Sequence, residues 1–501
     1  MLAHYRRNLA ALLAFHVAWA FVLWLSISKY GLGVSTDSVD CMFTGVNLVE
    51  GRGLVSYDGS PFYLWPPLYP MLIGFVHLFG FDVFASAHII QFTSYALIAY
   101  FSSILFLKIF DDFALAFLAA FLLAVGPVVV SSFQMVGPDY LFILFQILLT
   151  LWIAIYADSQ KATTLILIGL IASLGMLLRY IGYTLVLAGL LAVIRYTSGS
   201  TLKRTLRAAS VGLFAIPPSL WMLYTWTAMT SQRRAPLSLL EYIKQFTSGV
   251  LEWVATAPNY PDVNAWHLAI VWIPIFTFII LAIILARKST FFTAYTTPIL
   301  AHGLLYTVFI FINASIAYFN RLNGRFLLPV YLPLVILVLL VIQHSRSRPL
   351  KLLSILFVIL VAALQVQRSV TLMRESVNGT IPYNAYNTRE WNENAALNYW
   401  RENPPQGDFI LLSNYDAGVA FQANHMANAS PRKTEIYGTE IIPLSIYEDG
   451  IFKSGMVTYL IWIEPNAYKH VYEPLELNPI AKIERLFKNK DGAVYRLTPV
   501  K

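Results

Sequence analysis

Two aspartates, Asp37 and Asp40, stand one helical turn apart just after the first long apolar run of the chain. A carboxylate at the edge of such a run could act as general base on a hydroxyl or amine held at a membrane surface. As plain structure, Ser35, Thr36 or Asp37 would cap a helix over 38–50, and Asp40 would lie on its solvated face. A third acid, Asp139, follows Pro138 where another apolar segment opens, again a natural cap position. Arg179, Arg321 and Arg325 stand at the ends of apolar segments. Snorkelling to headgroups would explain each separately. Charge within a membrane region is nevertheless usually functional, and a guanidinium forks onto phosphate without losing its proton. Trp65 and Tyr69 flank the run Pro66-Pro67-Leu68, where they could stack on a sugar or rest in the membrane interface.

The elements that hold these residues follow from composition. The chain has 501 residues, 57% hydrophobic and 12% charged. So few charges cannot cover a soluble surface, and they exclude disorder and coiled coil as well. One cysteine, Cys41, excludes a disulfide scaffold. The net charge of +8 is read as a topology signal and not as a nucleic-acid footprint, because it is sorted along the chain. Residues 368–501 hold 15 of the 27 acids and 14 of the 35 bases, an ordinary soluble composition. The expected organisation is a membrane domain, 1–367, and a soluble domain, 368–501.

A spanning helix needs about 20 mostly apolar residues. Eleven segments qualify or nearly so: 9–28, 84–107, 113–132, 139–157, 162–179, 181–195, 208–227, 266–286, 291–313, 326–343 and 350–367. The first lacks a small-residue cleavage site and is read as retained. With the N-terminus in the cytosol, 13 of the 21 bases before residue 368 fall inside, nearly all in short loops. An odd count then places 368–501 outside, together with the loops 29–83 and 228–265. Pro66 to Gly80 is apolar but short, and is read as a helix lying in the outer interface. The loop 228–265, with Arg233, Arg234, Glu241, Lys244 and Glu252, reads as an amphipathic lid or a plain surface loop.

The tail mixes periods. Asn387 to Arg401 is predicted helical, Asp408 to Leu412 and Met456 to Ile463 are predicted strands, and Ile483 to Leu497 a hairpin turning at Lys490-Asp491-Gly492. A small α/β or α+β domain is expected.

The first outer loop carries a resemblance. An Asp soon after the first spanning helix, Gly51-Arg52-Gly53, and Trp65-Pro66-Pro67-Leu68-Tyr69-Pro70 match in order and spacing. They resemble the GT-C glycosyltransferases that use polyprenyl-phosphate sugars, including the protein O-mannosyltransferase-like family and the lipid A aminoarabinose transferases. The resemblance covers about residues 1–345. It implies a polytopic α-helical membrane protein of about eleven spans with a small extracytoplasmic α/β domain. The implied activity is inverting transfer of a sugar from a polyprenyl-phosphate donor to an extracytoplasmic acceptor at the plasma (inner) membrane. Asp37 would be the catalytic base, and Asp40 and Asp139 further catalytic or metal-contacting acids. Arg325, in Arg325-Phe326-Leu327-Leu328-Pro329, would hold the donor phosphate with Arg321 and Arg179.

One departure bears on cofactors. Aminoarabinose transferases carry Glu-Lys before the Pro-Pro pair, and here those positions are Leu64 and Trp65. A divalent cation is thus the one cofactor left open. His16, His77, His88 and His302 are isolated on apolar segments and read as packed or interfacial. A transporter or flippase of lipid-linked sugars is the competing reading, but such proteins show repeat symmetry and broken helices, which this sequence does not suggest. A third reading is a scaffold whose tail binds partners. Nucleic acid is not expected as a partner.

Overall fold

The computed structural model describes residues 2–229, 238–256, 262–287, 291–316, 322–380, 385–434, 440–452 and 456–500. Each of the eleven apolar segments is helical over most of its length. Seven helices are long and apolar enough to cross a membrane, and the bent pair Phe113–Val125 and Pro127–Phe133 makes an eighth. Ala162–Leu178, Tyr180–Tyr196 and Thr297–Asn313 are apolar but shorter. The chain is thus a multi-pass membrane protein, and among the described residues seven or eight helices are long and apolar enough to span, with four shorter apolar helices that include Leu68–His77. The bend of 51° falls at Gly126-Pro127. Pro127 has no N–H to continue the ladder. Gly126 is needed there because a Cβ would come within 2.7 Å of the Tyr331 hydroxyl. That hydroxyl donates to Leu122 O at 2.7 Å and satisfies a carbonyl that the break sets free.

The chain divides into two compact units. The first comprises Met1–Ser26, Tyr63–Tyr69 and His88–Arg374; the second comprises Ile27–Phe62, Pro70–Ala87 and Glu375–Lys501. Within the first, the helices Pro138–Ser159 and Gly324–His344 are the most buried of the long spans, and they carry Asp139 and Arg325.

The second unit holds a five-stranded sheet: β1 (Phe409–Ser413), β2 (Asn428–Ala429), β3 (Val457–Ile463), β4 (Ala481–Asn489) and β5 (Gly492–Pro499). The order is β2-β1-β3-β5-β4, with β1 parallel to β2 and β3, and β5 antiparallel to β3 and β4. Leu412, Leu460, Trp462, Tyr495 and Leu497 form its core. The helix expected over 387–401 is two helices, Arg389–Glu393 and Ala395–Glu402. Asn394 breaks it by turning its side chain onto the N–H groups of Ala396 and Leu397. That local bond competes with the helical ladder in a way that apolar spacing does not register.

The same unit contains the helix Thr36–Val49. Gly45 lets it close on the helix Leu68–His77, since a Cβ at Gly45 would meet Pro70 O at 2.7 Å.

Candidate active site

Pro138 starts the helix Pro138–Ser159 at its first position, and Gly137 is the capping residue without a side-chain bond. Asp139 is therefore not the cap. It is buried, and its carboxylate is paired with two arginines. Arg179, at the C-cap of Ala162–Leu178, meets Oδ1, and Arg325 Nε lies 2.7 Å from Oδ2. Both guanidinium carbons also lie over the Phe326 ring, at 5.6 and 5.7 Å from its centroid. Tyr69 is fully buried, and its hydroxyl accepts from Gly137 N at 3.0 Å, which ties the Pro-Pro element to the start of this helix. Trp65 is half-buried. Arg321 lies outside the described residues.

Two guanidinium groups thus converge on one buried carboxylate in a low-dielectric setting. Such a centre suits an anion that can share the guanidinium donors. With both Asp139 oxygens facing arginines, this donor set does not fit a divalent cation. Among the described residues no group of three or more His, Cys, Asp or Glu side chains has metal-binding geometry.

The position of Arg325 is set by its helix. Asn323 caps it by accepting from Phe326 N at 3.2 Å. Gln245 accepts from Leu322 N at 2.9 Å and Glu252 from Gly324 N at 2.7 Å, so the helix Leu239–Leu251 and the residue after it anchor this helix start. Further along, Pro329 and Pro333 stand four residues apart. Pro333 offers no N–H to the carbonyl of Pro329. Gln146 supplies the missing donor, with Nε2 3.0 Å from Pro329 O. Gln146 Nε2 also lies 2.9 Å from His302 Nδ1, and His302 Nε2 lies 3.1 Å from Thr184 Oγ1. This chain requires a neutral imidazole protonated on Nε2. It is buried throughout. His302 reads in sequence as an isolated packed histidine; its partners come from helices 118 and 156 residues away.

Gln146→Glu is expected to reverse this arrangement, because a carboxylate cannot donate to Pro329 O. A buried carbonyl left without a partner costs about 1–3 kcal/mol. A lowered thermal midpoint in detergent checks it, with Gln146→Asn, which keeps a donor, less affected.

In the second unit Ser35, not Asp37, caps the helix Thr36–Val49. Its hydroxyl accepts from Ser38 N, and Ser38 Oγ accepts from Ser35 N at 3.0 Å. Asp37 lies half-buried in the first turn. The segment before it is clamped by the tail. Asn387 accepts from Val34 N at 3.0 Å and donates to Tyr30 O and Leu32 O. Tyr386 N donates to Val34 O at 2.7 Å, and the Tyr386 hydroxyl lies 2.8 Å from Thr36 Oγ1. Neither Tyr386 nor Asn387 is singled out by any motif.

Asp40 accepts from the Ser56 hydroxyl. Burial pushes its carboxyl up to about 7; the Ser56 bond opposes this, and the charges of Asp37, Asp58 and Asp416 add to it. Unfolded aspartate titrates near 3.8. The folded state therefore binds the extra proton between these values, so the stabilisation is full at low pH and is lost as pH rises through about 7. We expect the unfolding midpoint to fall across that window by an amount equivalent to a few kcal/mol. Asp40→Asn should flatten the dependence, as thermal scans at a series of pH values will read.

The fold is shared with solved membrane proteins at low sequence identity. The structure of ArnT from Cupriavidus metallidurans bound to undecaprenyl phosphate is similar, with a TM-score of 0.62 at 12% identity over 96% of this chain and 97% of that one. The archaeal oligosaccharyltransferase AglB from Archaeoglobus fulgidus, in complex with an inhibitory peptide and a dolichol-phosphate, gives 0.53 at 12% identity, covering 98% and 74%. The arabinofuranosyltransferase AftD from Mycobacteria gives 0.54 at 12%, covering 99% and 40%. By sequence, the family model for dolichyl-phosphate-mannose-protein mannosyltransferase matches residues 65–224. No curated protein matches by sequence.

Proposed function

We propose that this chain is an inverting glycosyltransferase. It takes a sugar from a polyprenyl-phosphate donor and delivers it to an acceptor on the outer face of the plasma (inner) membrane. The observation that carries this reading is the buried cluster of Asp139 with Arg179 and Arg325. Its two guanidinium groups sit in an apolar helical domain, where an anionic lipid headgroup is a ligand they can share with Asp139.

In this reading Asp37 takes the proton from the acceptor hydroxyl or amine as its oxygen or nitrogen attacks the anomeric carbon. The bond from that carbon to the phosphate oxygen breaks on the opposite face, and polyprenyl phosphate leaves as the product. Arg325 and Arg179, with Arg321, hold the phosphate as charge gathers on it. Asp139 orients the two arginines. Asp40 is the second acid of the outer loop, and the half-buried Trp65 borders the sugar or lipid, while the buried Tyr69 holds the start of the helix that carries Asp139. A divalent cation has no part in this reading, so turnover should persist in chelator.

Purified protein offered a panel of polyprenyl-phosphate sugars tests the proposal. Release of polyprenyl phosphate with one of them supports it, and no release with any overturns it. The orientation has its own test: a reporter fused after Lys501 should be active outside the cytosol.

A further inference from the structure

The parallel strands of the tail run in the order β2-β1-β3. From β1 the chain passes through the helix Asp416–Ala423 to β2 on one side. It then returns past β1, through the helix Ser445–Ile451, to β3 on the other side. Such a reversal opens a crevice at the carboxyl ends of the two strands, where open α/β sheets hold their ligands.

The residues at that edge are suited to a particular ligand. Asn414, after β1, donates to Ile463 O and accepts from Ile463 N, both at 2.9 Å, and also donates to Asn466 Oδ1 at 3.2 Å. It locks the two strand ends together. Along them runs a row of rings: Tyr386 to Trp391 at 5.1 Å, Trp391 to Tyr415 at 5.9 Å, Tyr415 to Tyr468 at 4.8 Å and Tyr468 to His470 at 5.5 Å. Gly418 makes room for it, since a Cβ there would meet the Trp391 ring at 2.4 Å. The row starts at the buried Tyr386, whose hydroxyl lies on that of Thr36, and reaches the surface at Tyr468, which is 38% exposed, before His470. Asp416 lies beside it, its acid raised by burial, with the Tyr57 hydroxyl 3.3 Å from Oδ2.

We infer that this strand-end edge binds the sugar ring of a glycan acceptor and guides it toward Asp37. Three observations single out a sugar. Flat rings take up the apolar C–H face of a pyranose. The interleaved amide and carboxyl groups of Asn466 and Asp416 match its hydroxyls. The row also begins at the residue preceding the base assigned above, so a bound glycan would already be aligned with it. The inference rests on that functional reading.

Saturation-transfer NMR on the purified full chain, with maltotriose and chitotriose as probes, tests it. Saturation of the ring protons of at least one is expected, with affinity about tenfold weaker in Tyr468→Ala, within the range of an aromatic contact. Tyr468→Phe should restore it, and Tyr399→Ala, whose ring stacks on Phe487, should bind like the parent. No saturation from either sugar, or equal affinity in Tyr468→Ala, overturns the inference. Release of sugar from donor to water by the unaltered protein is measured alongside. If polyprenyl phosphate is released from no donor of the panel, with or without the trisaccharides, the transferase reading falls, whatever the binding shows.

Discussion

Asp37→Asn is expected to reduce transfer by about 10²–10⁴-fold, the usual contribution of a general base. Protein yield and donor binding should be unchanged. The structure sharpens this expectation, because the cap of the helix Thr36–Val49 belongs to Ser35. An asparagine in the first turn keeps the side-chain shape and gives up the charge, whose dipole term there is about 0.3–1 kcal/mol. A large loss of turnover with a small loss of stability therefore isolates the chemistry. Full turnover in Asp37→Asn would remove the residue from the mechanism.

Arg325→Ala is expected to weaken donor use by roughly ten- to a hundredfold, corresponding to about 1.5–3 kcal/mol for a charge-assisted bond. Asp139 would still be paired with Arg179, so the fold should survive. Arg325→Lys separates two roles. A lysine retains the charge and would serve a snorkelling function equally, whereas a phosphate clamp needs the planar fork. The readout is dependence on donor concentration at constant acceptor. Unchanged dependence in Arg325→Ala would transfer the clamp to Arg179 or Arg321.

The membrane character, the helical segments and the tail strands are legible in sequence because each is a periodic or compositional property. β1, β3 and the β4–β5 hairpin fall within a residue or two of their expected places. Asp139, Arg179 and Arg325 were gathered into one site only by the family resemblance, and that Asp139 pairs with both arginines was not legible. Their meeting joins three helices, and a plausible cap reading of Asp139 concealed it. Gln146 and Glu252 were invisible for a different reason. Each satisfies a backbone group on a distant helix, and nothing in local spacing marks a glutamine that serves another segment's proline. The break at Asn394 shows the reverse case, in which a single local hydrogen bond overrules a regular apolar pattern.

The clamp of Asn387 and Tyr386 on residues 30–36 also orders events in time. Val34 is translated some 350 residues before the amide that receives its N–H. Until then the backbone leading into Asp37 lacks the partners that fix it, and closing so long a loop carries an entropic cost that local contacts must offset. Residues 30–36 are made early and completed last. A nascent chain arrested before residue 386 would lack the partners of residues 30–36, so the backbone before Asp37 is fixed only once the tail is made. Synthesis of the tail thereby acts as a checkpoint on a residue encoded near the start of the message.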